Sequence, residues 1–128
     1  MSGRLLVVDD NPTNLKLLAF LLAKHGHEVR TAMDSNAAVA ELATFSPDLV
    51  FVDLQLPGQD GLALTRQLKA NPATRDITII AVTAYAMPGD EDRAREAGCD
   101  GYVTKPIDTR ALPGLVAEHL RTRSQGAP

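Results

Sequence analysis

Asp9 and Asp10 close the apolar run Leu5-Leu6-Val7-Val8, and Asp53 closes the run Leu49-Val50-Phe51-Val52. Carboxylates placed directly after buried strands repel one another and resist desolvation unless a cation offsets them. A hard divalent cation such as Mg²⁺ takes oxygen ligands of this kind and makes the spot a site for phosphate chemistry. One carboxylate of the set can then act as a nucleophile toward a phosphoryl group, giving an aspartyl phosphate. Lys105 and Thr83 supply the two other groups such chemistry uses, a point charge and a hydroxyl donor for the phosphoryl oxygens.

These residues must be carried by strands. Strand-like runs, rich in Val, Ile and Leu and most of them continuously apolar, occupy Arg4–Val8, Glu28–Thr31, Leu49–Asp53, Ile77–Thr83 and Gly101–Thr104. Such runs suit parallel strands covered on both faces. Amphipathic segments separate them. The first opens at Asn11-Pro12, a capping residue followed by proline at the first helical position, and stops at Gly26. Its apolar arc centres on Leu18 and Leu21 and extends to Leu15, Leu22 and Leu17, with Phe20 outside it. The second starts after Asp34 or Ser35 and runs to about Phe45, before the breaker Ser46-Pro47. The third spans about Leu62 to Ala70, and the fourth runs from Met87-Pro88 to Gly98. The fifth lies in Thr109–Arg121, where Pro113 implies either a turn ahead of a helix beginning at Pro113 or a bend. Residues 124–128 read as a disordered tail and residues 1–123 as one domain.

Strand and helix in five-fold alternation give an α/β, doubly wound parallel sheet. Ligands of open α/β sheets bind beyond the carboxyl ends of the strands, where strand order reverses. Asp9, Asp10, Asp53, Thr83 and Lys105 all fall on that edge. Singly, each has an ordinary reading: a turn aspartate, a strand-end threonine, a solvated lysine. Their convergence on one edge is what reads as a site. A cis Lys105–Pro106 bond would help aim the lysine inward.

Composition removes other classes. The chain has 128 residues, 45% of them hydrophobic, which suits one folded domain rather than a disordered chain. A net charge of -3 leaves no broad basic surface for nucleic acid or an anionic membrane. No apolar run approaches a membrane span, and Met1-Ser2-Gly3-Arg4 leads straight into a strand without a signal peptide. Cys99 stands alone, so no internal disulfide forms, and a reducing, cytoplasmic setting with a buried thiol is expected. His25, His27 and His119 are not spaced as a metal set and read as surface or helix-end residues.

The blocks Val8-Asp9-Asp10-Asn11, Val52-Asp53-Leu54-Gln55-Leu56-Pro57-Gly58-Gln59-Asp60-Gly61, Val82-Thr83-Ala84 and Thr104-Lys105-Pro106 resemble the signature blocks of response-regulator receiver domains. The resemblance runs from about Arg4 to Leu120 and includes stretches similar to stand-alone cell-cycle regulators and to receiver modules of hybrid histidine kinases. It implies the flavodoxin-like receiver fold of chemotaxis regulators, with strand order 2-1-3-4-5. It also implies a phosphorylation switch rather than an enzyme, with self-phosphorylation from a donor and slow autodephosphorylation only. Asp53 would take a phosphoryl group from a phosphohistidine of a sensor kinase or phosphotransfer protein. Asp10, Asp53 and the Gln55 backbone carbonyl would ligate Mg²⁺ (or Mn²⁺), with Asp9 acting through a water. Lys105 and Thr83 would hold the phosphoryl oxygens. Tyr102 would be the aromatic switch, its ring turning inward and reshaping the face of the fourth helix, fifth strand and fifth helix toward a downstream protein.

Gln55 and Tyr85 sit two residues after Asp53 and Thr83, positions that tune phosphate lifetime in this family, and Gln59 stands where methionine is common. Asn14, Leu15 and Leu17, with the loop after the fifth strand, are the expected donor-docking surface, the alternative being that Leu15 and Leu17 are core residues at the edges of the arc. The protein is expected to be a monomer, with dimerisation on phosphorylation as an alternative. Three rivals compete. A phosphatase with an aspartate nucleophile needs a second acid where Gln55 stands. A flavodoxin-like cofactor carrier needs a phosphate cradle where Asp9-Asp10-Asn11-Pro12 would repel phosphate. A receiver that only binds partners would not need all five signature side chains.

Overall fold

The computed structural model describes residues 3–56, 60–84 and 87–126. In chain order the elements are β1 (Arg4–Val8), α1 (Pro12–Lys24), β2 (Glu28–Ala32), α2 (Ser35–Leu42), β3 (Leu49–Asp53), α3 (Gly61–Ala70), β4 (Thr78–Thr83), α4 (Asp90–Ala97), β5 (Gly101–Thr104) and α5 (Leu112–Gly126). The strands form one parallel sheet in the order β2-β1-β3-β4-β5. This is the doubly wound α/β architecture expected from the alternation.

Strand side chains alternate between two cores, as the two-residue period of a strand requires. Leu6, Val8, Val50, Val52, Ile79 and Ala81 pack with Ala38 of α2, Leu64 and Leu68 of α3, and Ala94 of α4. Leu5, Val7, Leu49, Phe51, Ile80 and Val82 pack with Leu15, Leu18 and Leu22 of α1 and Leu112, Val116 and Leu120 of α5. Both faces of the central strands are dry, which is why their sequences are apolar without interruption.

Helix starts follow side-chain chemistry. Asn11 accepts hydrogen bonds from the N–H groups of Thr13 and Asn14, Asp34 from Ala37, and Asp60 from Ala63. Pro113 lies in the first turn of α5, where a missing N–H costs nothing, so the turn-then-helix alternative holds in place of the bend. α5 also continues through Gly126, past the expected end at Arg121 and into the segment read as a disordered tail. No glycine or proline interrupts Arg121–Gln125, so nothing in the chain stops the helix earlier.

Two side chains depart from expectation. Leu15, read as a docking residue with a core position as the alternative, is 6% exposed and belongs to the core beneath α1. His27, read as a surface or helix-end residue, is buried, and its Nδ1 accepts the Gly3 N–H at 3.0 Å. Burial holds its pKa below the ordinary histidine value, with the N-terminal charge and His25 adding to the shift.

Gly61 opens α3 against the end of β3. A Cβ there would lie 2.4 Å from the Asp53 carbonyl oxygen, 2.9 Å from Leu54 Cα and 2.9 Å from Val52 Cγ1. Two of these neighbours are backbone, so no rotamer change relieves the clash. Gly61→Ala is therefore expected to destabilise the fold by about 1–3 kcal/mol through overpacking. Chemical denaturation reads this directly, and an unchanged midpoint would show that α3 can shift away from β3 without cost.

Candidate functional site

Strand order reverses between β1 and β3: the chain leaves β1 for β2 on one side and returns to β3 on the other. Register places Val8 beside Val52, Asp53 beside Val82, and Thr83 beside Thr104. Asp9, Asp53, Thr83 and Lys105 therefore emerge at one edge because their strands end level with one another. The hydrophobic runs set those ends. Each stops where the first carboxylate or hydroxyl must reach the sheet's rim.

One carboxylate oxygen from each of Asp9, Asp10 and Asp53 can be chosen so that all lie within 4.8 Å of one another. Asp9 and Asp53 are each 3% exposed, whereas Asp10 is exposed. Lys105 Nζ lies 2.8 Å from Asp53 Oδ2 and 3.1 Å from Asp9 Oδ2. Burial works to lower the lysine pKa, but the hydrogen bonds and charges of Asp53 and Asp9 outweigh it, leaving the pKa above that of a free lysine. The ammonium thus stays charged throughout the physiological range. The Lys105–Pro106 peptide bond is cis, as expected from the sequence.

Backbone donors engage two of the three carboxylates. The Asn11 N–H donates to Asp9 Oδ1 at 2.9 Å, and the Gln55 N–H donates to Asp53 Oδ1 at 2.8 Å. Both are the two-residue turns aspartate forms readily. They fix the carboxylate planes and leave the cluster with three carboxylates to one ammonium. An oxygen-only donor set with excess negative charge fits a hard divalent cation such as Mg²⁺.

Thr83 is fully buried, and its Oγ1 accepts a hydrogen bond from Gln55 Nε2 at 2.9 Å. Tyr102 packs against the core formed with α2, α3 and α4, and its hydroxyl is closed off from solvent with no hydrogen-bond partner among the described residues. Burial raises the phenol's pKa, with Asp90 and Glu91 adding to the effect and Arg93 opposing it. The ring is thus already packed on the protein, beside the start of α4. Tyr85 and residues 57–59 lie outside the described residues.

Beside the carboxylates runs a groove of about 410 Å³, lined by Asp9, Asn14, Leu17, Leu18, Lys105, Pro106 and Ile107 among others. Asn14 and Leu17 of the expected docking set are there, and Leu17 is 47% exposed. The leucines at 15 and 17 point to opposite environments, which the apolar arc alone did not separate. Sequence reasoning assigned no role to Gly61 or to the Asn11 and Gln55 N–H groups, and it gave Gln55 a part in phosphate lifetime without its contact to Thr83. The adjacent Asp60-Gly61 pair was the available signal for a tight strand-to-helix approach.

A family model for the response regulator receiver domain matches residues 5–117. The response regulator PleD of Caulobacter vibrioides (strain NA1000 / CB15N) is 43% identical over 132 residues, covering 96% of this chain but 29% of PleD. The chain thus spans less than a third of that curated relative. The polar-differentiation response regulator DivK of Brucella ovis is 40% identical over 120 residues, covering 94% of this chain and 98% of DivK. The crystal structure of a CheY-like response regulator receiver domain protein from Methanospirillum hungatei JF-1 matches with a TM-score of 0.92 at 26% identity, covering 99% of this chain and all of that one.

Proposed function

The chain belongs to the response regulator receiver domain family, and from that premise we propose that it is a phosphorylation switch with Asp53 as the phosphoacceptor. The observation that carries this reading is the buried Asp53 carboxylate, held by the Gln55 N–H and the Lys105 ammonium and bordered by two further carboxylates. An Asp53 oxygen attacks the phosphorus of a phosphohistidine on a sensor kinase or phosphotransfer protein. The O–P bond forms as the P–N bond breaks, and the leaving imidazole nitrogen keeps the bonding pair. Lys105 holds the carboxylate in place and then meets charge on the phosphoryl oxygens. Thr83 donates its hydroxyl to them once its resting contact is released.

Asp9, Asp10, Asp53 and the Gln55 backbone carbonyl are the groups that would hold Mg²⁺ (or Mn²⁺), which supplies positive charge for the phosphoryl oxygens when bound. The chain's activity is limited to self-phosphorylation from a donor and slow self-hydrolysis, and the sequence positions of Gln55 and Tyr85 are those expected to tune the latter. Among the described residues no helix is long and apolar enough to cross a membrane. That and the unpaired Cys99 are consistent with a cytoplasmic setting. Incubation with acetyl phosphate and Mg²⁺ tests the reading: intact mass should rise by one phosphoryl group, and no gain would remove it.

The donor docks along the groove beside Lys105, with Asn14 and Leu17 on one wall and Pro106 and Ile107 on the other. Leu17 is the exposed apolar anchor, and Leu15 supports it only from the core. Leu17→Asp is expected to slow transfer from a phosphohistidine donor about tenfold, the loss of a moderate interface anchor. Labelling by acetyl phosphate and the unfolding midpoint should not change. An unimpaired transfer rate would place docking elsewhere. Output passes through the face of α4, β5 and α5 around Tyr102 to a downstream protein, and dimerisation through that face on phosphorylation is the alternative.

A further inference from the structure

The side chain of Gln55 makes contacts that the phosphoryl chemistry does not require. Its backbone N–H is fixed by Asp53 Oδ1, which orients the residue at the end of β3. From there the amide reaches the end of β4. Nε2 donates to Thr83 Oγ1 at 2.9 Å, and Oε1 accepts from the Ala84 N–H at 3.4 Å. The first distance is ordinary for a hydrogen bond, and the second lies at the long limit. A glutamine amide carries both an acceptor oxygen and donor hydrogens, so one side chain can engage a hydroxyl and a neighbouring backbone N–H together. Thr83 has no solvent exposure, so bulk water does not compete freely for its hydroxyl.

We propose that the Gln55 side chain is a resting-state latch: its amide holds Thr83 Oγ1 and the Ala84 N–H, and a phosphoryl group arriving on Asp53 must displace it. The proposal rests on the aspartyl-phosphate reading and deepens it. Gln55 becomes a positioning residue that acts through Thr83. The latch holds the Thr83 hydroxyl oxygen where it lies at rest, so its strength sets how readily Thr83 turns its O–H to the phosphoryl oxygens. This is separate from any effect of the Gln55 side chain on hydrolysis, because it operates before phosphorylation.

Gln55→Met keeps the length of the side chain and removes both hydrogen bonds. In the metal-free resting protein, NMR should show a shifted Thr83 methyl and hydrogen exchange at Ala84 faster by about fivefold, as expected for loss of a weak bond. In the wild type, the Gln55 side-chain NH₂ resonances should survive Thr83→Ser, which keeps the hydroxyl, and shift in Thr83→Val. With Mg²⁺ and beryllium fluoride as the phosphoryl mimic, Gln55→Met should bind roughly three- to tenfold more tightly, since no latch has to open. Unchanged Thr83 and Ala84 signals, or equal or weaker mimic binding by the methionine variant, would overturn the latch while leaving Asp53 as phosphoacceptor. If the wild type takes up neither acetyl phosphate nor the mimic, the aspartyl-phosphate reading falls, and the proposal falls with it.

Discussion

Asp53→Asn is expected to abolish phosphoryl uptake from acetyl phosphate and from any phosphohistidine donor, while the fold survives. Asparagine keeps an acceptor for the Gln55 N–H, now made to Asp53 Oδ1 at 2.8 Å, but its amide is not a nucleophile. The stability change has two opposing parts. The charge-assisted bond from Lys105, at 2.8 Å, is weakened. Repulsion among three clustered carboxylates is relieved at the same time, and Lys105 still pairs with Asp9 at 3.1 Å. These nearly cancel or favour the variant, so in metal-free buffer its unfolding free energy should lie within about 1 kcal/mol of wild type or above it. A loss of several kcal/mol would mean that the Asp53 charge is structural.

Lys105→Met should have the opposite balance. It leaves Asp9 and Asp53 buried together, each 3% exposed, without the cation that joins them. Removing one partner of a buried ion pair strands the other charge. The Lys105 side chain keeps 20% of its exposure, so the effect is moderated by solvent. We expect a loss of about 2–4 kcal/mol at neutral pH in metal-free buffer. Added Mg²⁺ should recover part of it, because a cation bound only by the folded chain stabilises that chain. Phosphoryl uptake should also fall at least tenfold, since the lysine is the one cationic side chain contacting the Asp53 carboxylate among the described residues. Denaturation with and without Mg²⁺, together with the labelling rate, checks both parts. Wild-type stability in metal-free buffer would show that solvent alone tolerates the paired carboxylates.

The sheet was legible because its strands are buried on both faces. The runs at Leu5–Val8 and Leu49–Val52 contain no polar residue, and no other arrangement of a small α/β chain covers them so fully. The site was legible in part for the same reason. Polar residues that end dry strands must fall on one rim when the strands are parallel and level, which brings Asp9, Asp53, Thr83 and Lys105 together.

What escaped the sequence was finer than the period of an element. Leu15 and Leu17 both border the apolar arc of α1, and only packing against β1 and α5 decides that Leu15 is core. His27 gave no sign of its bond to the Gly3 N–H, because that contact joins residues that are 24 apart in sequence. The same holds for Gln55 and Thr83, 28 residues apart, whose contact depends on how far the β3 loop projects over β4. Helix α5 outran its expected end because Arg121–Gln125 holds no glycine or proline to stop it.

Peptide mapping of the protein after reaction with acetyl phosphate and Mg²⁺ tests the central claim most directly. One phosphoryl group should appear on the peptide containing Asp53 and be absent from Asp53→Asn. A phosphoryl mass that persists in Asp53→Asn, or that maps to the peptide of Asp9 and Asp10, would contradict the assignment.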